Sequence, residues 1–217
     1  MKRNVLSRGI VCIAVAALAL AGCGSGGGDS SSTTGSDSSG GSQLSNLSGD
    51  LKGSGSSFTN AYLQKALDEF ANVAPDLNIV YNSTGSGTGK KEFGANLTDF
   101  AGTDSTVKPG DGPAEGSYLY VPTVAAPITV SYHLQGVDKL QLSPDTLGKI
   151  FQADIKTWND PAIAKDNTGV QLPNKPIVVA HRSDGSGTTS NFTSYLAKAA
   201  PSWKLGSGDT VAWPADT

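Results

Sequence analysis

Apolar positions follow a helical spacing in parts of this chain and gather into short runs elsewhere. In residues 58–70 large apolar side chains recur every three or four positions, which predicts an amphipathic helix. The apolar runs at 77–81 and 100–102 predict buried strands, and residues 90–97 between them predict a short helix. The strand at 100–102 would deliver Asp104 to a position just beyond its end.

The second half of the chain contains further strand-like runs, at residues 118–121, 126–134 and 177–181. Their apolar and β-branched side chains are typical of strands. Prolines interrupt the first two runs, and prolines usually mark strand edges or crossings between units. We therefore place a domain crossing near Pro122.

Two helices are predicted in this half as well. Ser143 followed by Pro144 is an N-cap serine with proline at the first helical position, which predicts a helix through Phe151. Residues 182–187 predict a turn, and residues 188–200 carry apolar side chains on one side of a helix. The succession of strand, loop and helix predicts an α/β fold.

Composition narrows the class of protein. The chain has 217 residues, of which 37% are apolar and 16% charged, and its net charge is −3. This is a globular composition with few charges, and it lacks the basic excess that nucleic acid requires. The two cysteines lie far from the two histidines, so neither a metal site nor any other cofactor is expected.

The first residues have the pattern of a secretory leader. Three cations, Lys2, Arg3 and Arg8, precede an apolar run at 10–21, which is too short for a bilayer that needs about 20 residues. Residues 1–22 are therefore predicted to be a signal peptide. The run ends in Leu-Ala-Gly before Cys23 and resembles the lipobox of bacterial lipoproteins, although an ordinary leader with a chance cysteine is the alternative.

A flexible tether is predicted to follow the leader. Residues 23–49 begin with Cys23 and are otherwise dominated by Gly and Ser, a composition that cannot bury enough apolar surface to become ordered. The lipobox implies that Cys23 carries acyl chains, palmitate among them, which would anchor the protein to the cell membrane. Loss of the three cations with the leader changes the net charge from −3 to −6.

Gly-Ser-Gly occurs three times beside a further hydroxyl residue and ahead of a predicted helix, at 53–57, 85–88 and 185–188. The first N–H groups of a helix are unpaired and attract anions. Three such loops, if they converge, would hold a small oxyanion with neutral donors, which an acidic protein can do. For any single loop, a capped helix start is the simpler interpretation. The loop at 85–91 matches neither the Walker A nor the dinucleotide pattern.

The third loop adds charged groups. Arg182 can place two hydrogen bonds on an oxyanion, and Asp184 can hold that guanidinium in position. A surface ion pair is the alternative on this segment alone.

Six stretches of the chain, taken in order, resemble the phosphate-binding lipoproteins of bacterial ABC phosphate importers, the PstS family. The most specific are Arg-Ser-Asp-Gly-Ser-Gly-Thr at 182–188 and Trp-Asn-Asp-Pro-Ala-Ile at 158–163. The other four stretches are 53–58, 81–89, 100–104 and 143–151. Together they extend the resemblance over nearly all of the predicted folded part.

The resemblance implies a two-domain α/β clamp of the periplasmic-binding-protein type (type II), with the ligand in a cleft between the domains. Domain I would occupy residues 50–124 and domain II residues 125–217, with a hinge near residues 122–126. Members of the family continue beyond the equivalent of residues 213–214, so we expect domain II to be incomplete here.

The resemblance also implies a function. The protein would be an extracytoplasmic, monomeric, lipid-anchored receptor that captures inorganic phosphate. It would deliver that phosphate to the membrane permease and ATPase subunits of an importer, and it would not be an enzyme.

The phosphate-binding residues implied by the resemblance come from all three glycine-containing loops and from the strand end at residue 104. Asp184 would orient Arg182. The expected phosphate contacts are Ser57, the N–H of Phe58, Ser86, Asp104, Arg182, Ser186, Gly187 and Thr188.

Asp104 is expected to set the selectivity, because a carboxylate only accepts hydrogen bonds and so favours an oxyanion that still carries a proton. Phosphate carries a proton near neutral pH and sulfate does not. Without the resemblance, Asp104 would be interpreted as a residue that caps the turn after a strand.

Three other functions remain open at this point. A receptor of the same fold could take another oxyanion, such as sulfate or molybdate. A secreted phosphatase or serine hydrolase is disfavoured, because the chain contains no Gly-x-Ser-x-Gly motif and His133 and His181 have no nucleophile motif beside them. A purely structural or adhesive lipoprotein would bind no ligand.

Overall fold

The computed structural model describes residues 44–214, which lie in a single structural unit. The predicted signal peptide, Cys23 and most of the predicted tether lie outside the described residues. In chain order the elements are β1 (Ser48–Gly55), α1 (Asn60–Phe70), β2 (Asp76–Ser83), α2 (Ser86–Gly94), β3 (Phe100–Gly102), α3 (Pro144–Phe151), α4 (Pro161–Asp166) and α5 (Gly187–Ala199). Strand β1 begins within the last two residues of the predicted tether.

A three-stranded parallel sheet organises the first half of the described chain. The strand order is β2-β1-β3, and α1 and α2 provide the crossovers that parallel neighbours require. Gly55 at the end of β1 pairs with Ser83 on one side and Gly102 on the other. All three strands therefore end at the same edge, and the loops that follow them begin there. This arrangement confirms the predicted α/β class.

Helices α3 and α5 begin within one residue of the predicted positions, and α4 is a third helix that the sequence analysis does not predict. Ser143 caps α3 by accepting a hydrogen bond from the Thr146 N–H at 3.3 Å, and Asp160 caps α4 by accepting from the Ala162 N–H at 2.8 Å. A proline occupies the first turn of each helix, where the missing N–H costs nothing. A cluster of Ile150, Ile155 and Ile163 packs these helices against the surrounding apolar side chains.

The strands predicted at residues 118–121, 126–134 and 177–181 are absent from the described chain. Leu119 and Val178 are 93% and 87% exposed. A strand requires a neighbouring backbone along its length. Within the described residues, the segment at 177–181 is joined to a neighbouring backbone only by the hydrogen bond from the Ile177 N–H to the Lys156 carbonyl oxygen at 2.8 Å, next to an isolated bridge between Thr157 and Pro176. A wide cavity of about 770 Å³, lined partly by apolar side chains of residues 128–132 and 177–180, lies between the last two segments.

No helix within residues 44–214 combines the length and the apolar character needed to cross a bilayer.

Candidate functional site

The loops that follow the three strands carry three of the predicted ligand-binding side chains. Ser57 follows β1, Ser86 opens α2 directly after β2, and Asp104 follows β3. Open parallel sheets characteristically bind ligands beyond the carboxyl ends of their strands. The start of α5, which contains Thr188, packs against these loops from the second half of the chain.

Asp104 lies at the centre of this arrangement. The Ser86 hydroxyl donates to Oδ1 of Asp104 at 2.7 Å, and the Thr188 hydroxyl donates to Oδ2 at 2.8 Å. The Asn191 amide donates to the Asp104 carbonyl oxygen at 2.5 Å and to the Gly187 carbonyl oxygen at 2.9 Å. One carboxylate thus joins α2, the loop after β3 and the first turn of α5.

Arg182 forms a second connection between the two halves of the described chain. Its Nη1 donates to the Ser57 hydroxyl at 2.8 Å, while Nε donates to Oδ1 of Asp184 at 2.5 Å and Nη2 pairs with Oδ2. The hydrogen bond from Arg182 lowers the pKa of Asp184, and the same contact raises the pKa of Arg182. The guanidinium is therefore charged and oriented, and 43% of its side chain is exposed.

The backbones of the second and third loops touch directly. The Gly87 N–H donates to the Gly185 carbonyl oxygen at 3.0 Å. Gly85 has a φ of +89°, a conformation that favours glycine, and a Cβ atom there would lie 2.6 Å from Oδ2 of Asp184. This glycine lets the chain turn from β2 into α2, so α2 begins at Ser86, earlier than the helix predicted from residue 90.

Gly187 lies beside the Asp104 side chain at the start of α5. A Cβ atom at this position would lie 2.7 Å from Cγ of Asp104, a distance at which one group must move. Ser186 precedes it as the N-cap of α5, where its hydroxyl accepts from the Thr189 N–H at 3.4 Å. Its own N–H donates to the Asp209 carbonyl oxygen at 3.0 Å.

The N–H of Phe58 has a local partner. It donates to the Ser56 hydroxyl at 3.1 Å, and the phenyl ring is 41% exposed. The structure therefore brings Ser57 to Arg182 and holds the Phe58 N–H within its own turn.

Three residues of this region were not identified from the sequence: Tyr81, Lys90 and Asn191. The Tyr81 hydroxyl donates to the Ser56 carbonyl oxygen at 2.8 Å. Burial raises the pKa of Tyr81, the hydrogen bond with Thr59 opposes that shift, and the charge of Asp104 adds to it. Asn191 could have been found, because it lies one helical turn after Gly187 and so shares its face.

The donor and acceptor groups fit a small anion that carries a proton. Each hydroxyl has one hydrogen, so Ser86 and Thr188 cannot donate to Asp104 and to a ligand at once. If both hydroxyls turned to a ligand, Asp104 would be left as an acceptor that a ligand O–H could satisfy. Arg182 supplies a positive charge to the same group of loops through its contact with Ser57.

A family profile described as the PBP superfamily domain matches residues 30–215. The chain therefore belongs to the PBP superfamily. Among curated proteins, this PBP-superfamily chain is 40% identical over 166 residues to the phosphate-binding protein PstS 3 of Mycobacterium leprae. That alignment covers 74% of this chain and 45% of the relative.

Two further relatives match in the same way. The phosphate-binding protein PstS 2 of Mycobacterium tuberculosis is 37% identical, with 83% of this chain and 51% of the relative covered. The phosphate-binding protein PstS of Methanocaldococcus jannaschii is 36% identical, with 76% of this chain and 45% of the relative covered. The chain thus spans about half the length of the curated relatives that it matches.

Proposed function

We propose that this chain binds inorganic phosphate as the receptor component of an ABC-type phosphate importer. Its relatives carry the name of phosphate-binding proteins, and the described residues include a cluster of hydroxyl donors around one guanidinium and one carboxylate. Ser57, Ser86, Arg182 and Thr188 are the donor side chains of the proposal. The N–H of Phe58 and the residues Ser186 and Gly187 belong to it as well.

The observation that carries the proposal is the position of Asp104 between the hydroxyls of Ser86 and Thr188. A carboxylate beside an anion site is unfavourable unless the anion brings a proton. An acceptor left facing another acceptor costs about 1–3 kcal/mol, and more when both are charged. Phosphate can supply the proton at neutral pH, whereas sulfate cannot.

The wider role that we propose follows from the same family. The receptor would work outside the cytoplasm as a monomer, held to the membrane by acyl chains on Cys23, and would pass phosphate to a permease with its ATPase subunits. Its two domains would close on the ligand by a hinge near residues 122–126. Its task would be capture and release, without catalysis.

Calorimetry with phosphate and with sulfate tests this function. We expect one phosphate per chain and much weaker sulfate binding. Arg182→Ala should weaken phosphate binding by about tenfold or more, since it removes a charged partner of the anion. Asp104→Asn should weaken phosphate binding and reduce the preference for phosphate over sulfate, because an amide can donate a hydrogen bond to either anion.

Asp68→Asn is the matched control, since Asp68 is an exposed carboxylate on α1, and it should leave both affinities unchanged. A chain that binds neither anion would contradict the proposal. If the chain binds sulfate more tightly than phosphate, its ligand is another oxyanion and the phosphate assignment is wrong.

A further inference from the structure

Lys90 on α2 is a buried cation that lies outside the set of proposed phosphate contacts. Only 2% of its side chain is exposed. Its ammonium group lies 2.8 Å from Oδ2 of Asp111 and 2.8 Å from Oδ2 of Asp209. It also donates to the Ser105 hydroxyl at 3.2 Å and to the Thr106 carbonyl oxygen at 3.4 Å.

The surrounding carboxylates keep this ammonium charged. Burial acts to lower the pKa of Lys90, but the hydrogen bonds with Asp111 and Asp209 and the charges of these two carboxylates together leave the pKa above its usual value. A buried charge with several hydrogen-bond partners is held in one place, because any other position would leave it or its partners unpaired. Lys90 is therefore a rigid point to which neighbouring segments attach.

Three of the segments attached to Lys90 are those that carry the proposed site. Lys90 lies one helical turn after Ser86 on α2. Ser105, which directly follows Asp104, donates its hydroxyl to Oδ1 of Asp209 at 2.8 Å. The Asp209 carbonyl oxygen accepts from the N–H of Ser186, the N-cap of α5.

We propose that Lys90 and Asp209 are positioning residues, which hold Asp104 and the first turn of α5 in the register that phosphate selection requires. Neither side chain needs to contact the ligand. The inference rests on the proposed phosphate function, since it assigns a role in that same site.

Asp111 provides a matched comparison for Asp209. Both carboxylates lie 2.8 Å from the same ammonium group. The described contacts of Asp209 reach Ser105 and Ser186, next to the proposed ligand contacts. Asp111 bonds to Lys90 and, through its N–H, to the Lys108 carbonyl oxygen. Loss of either carboxylate should perturb Lys90 to a similar degree, but only Asp209 should affect the site.

The experiment measures phosphate and sulfate affinities and melting temperatures for the unmodified chain, Asp209→Asn and Asp111→Asn. We expect Asp209→Asn to weaken phosphate binding by about tenfold and to reduce the preference for phosphate over sulfate. Asp111→Asn should change the phosphate affinity by less than about threefold at a comparable melting temperature. Lys90→Arg should retain more of the phosphate preference than Lys90→Met, because it keeps the charge.

If Asp209→Asn does not fold, Ser105→Ala is measured in its place. The Ser105 variant removes one hydroxyl and leaves the ion pairs of Lys90 intact. Ser105→Ala should also reduce the preference for phosphate over sulfate. The inference would be overturned if the Asp209 and Asp111 variants lost phosphate affinity equally, or if the loss of affinity tracked only the fall in melting temperature. The proposed phosphate function would still stand in either case. If the unmodified chain fails to bind phosphate, the proposed function is overturned and the inference with it.

Discussion

Asp104 and Arg182 illustrate how single side chains define the chemistry of this site. Asp104 has two hydroxyl donors on its carboxylate oxygens, and Arg182 is oriented by Asp184 while one nitrogen reaches Ser57. The two groups provide opposite charges, and the remaining donors are neutral. The proposed anion site would therefore need no net positive charge on the chain.

Gly187 has no room for a side chain beside Asp104. Gly187→Ala should weaken phosphate binding by about tenfold or more, because the added Cβ would lie 2.7 Å from Cγ of Asp104 and force α5 away from it. Lys198→Ala, at an exposed position near the other end of α5, is the control. Calorimetry measures both, and an unchanged affinity in the Gly187 variant would show that α5 tolerates the displacement.

At the scale of elements, helix starts serve two different purposes in this fold. The cap of α3 at Ser143 and the cap of α5 at Ser186 are chemically alike, since each serine hydroxyl accepts from an N–H three residues later. Of these two helices, only α5 begins against Asp104. The same local motif therefore stabilises one helix and, in the other, also presents groups to the proposed ligand.

Ser143→Ala and Ser186→Ala separate these purposes. Each should lower the free energy of unfolding by about 1 kcal/mol, the usual value of an N-cap side chain. Only Ser186→Ala should also weaken phosphate binding, because the cap orients the first turn of α5. Urea unfolding and calorimetry on both variants give the comparison, and a loss of affinity in the Ser143 variant would count against it.

For the whole molecule, ion pairs make stability depend on acid pH. The hydrogen bond from Lys149, together with those from Ser202, lowers the pKa of Asp145 to about 2, and Arg182 lowers that of Asp184. A carboxyl whose pKa is depressed in the folded state stabilises the fold above its unfolded pKa of about 3.9. That stabilising contribution is lost as the pH falls through the pKa of the carboxyl in the folded state.

The free energy of unfolding should therefore change little between about pH 7 and 5 on account of these groups, and should fall as the pH drops from about 4 towards 2. Urea titrations at a series of pH values measure this. Asp145→Asn should reduce the fall in the free energy of unfolding between about pH 4 and pH 2. Asp68→Asn, which alters an exposed carboxylate, should not. A variant with the slope of the unmodified chain would contradict the assignment to Asp145.

The sequence was sufficient to predict those elements whose apolar spacing or capping residues lie within the element itself. The helix at 60–70 has its own apolar periodicity, and α3 has its serine cap and proline, so both were predicted close to their observed bounds. The strand at 100–102 was predicted in full. The runs at 118–121, 126–134 and 177–181 were wrongly predicted as strands, because strand pairing depends on a neighbouring backbone that the residues of the run do not contain.

The sequence by itself determined the α/β class, the glycine-containing loops and the residue types offered to a ligand, because those depend on near neighbours along the chain. Only the tertiary structure decided that Asp104 joins Ser86 to Thr188, that Arg182 reaches Ser57, and that Lys90 lies buried between two carboxylates. Ser57 and Arg182 are 125 positions apart. Contacts over such separations depend on the order of the strands and the packing of α5, and no local pattern contains that information.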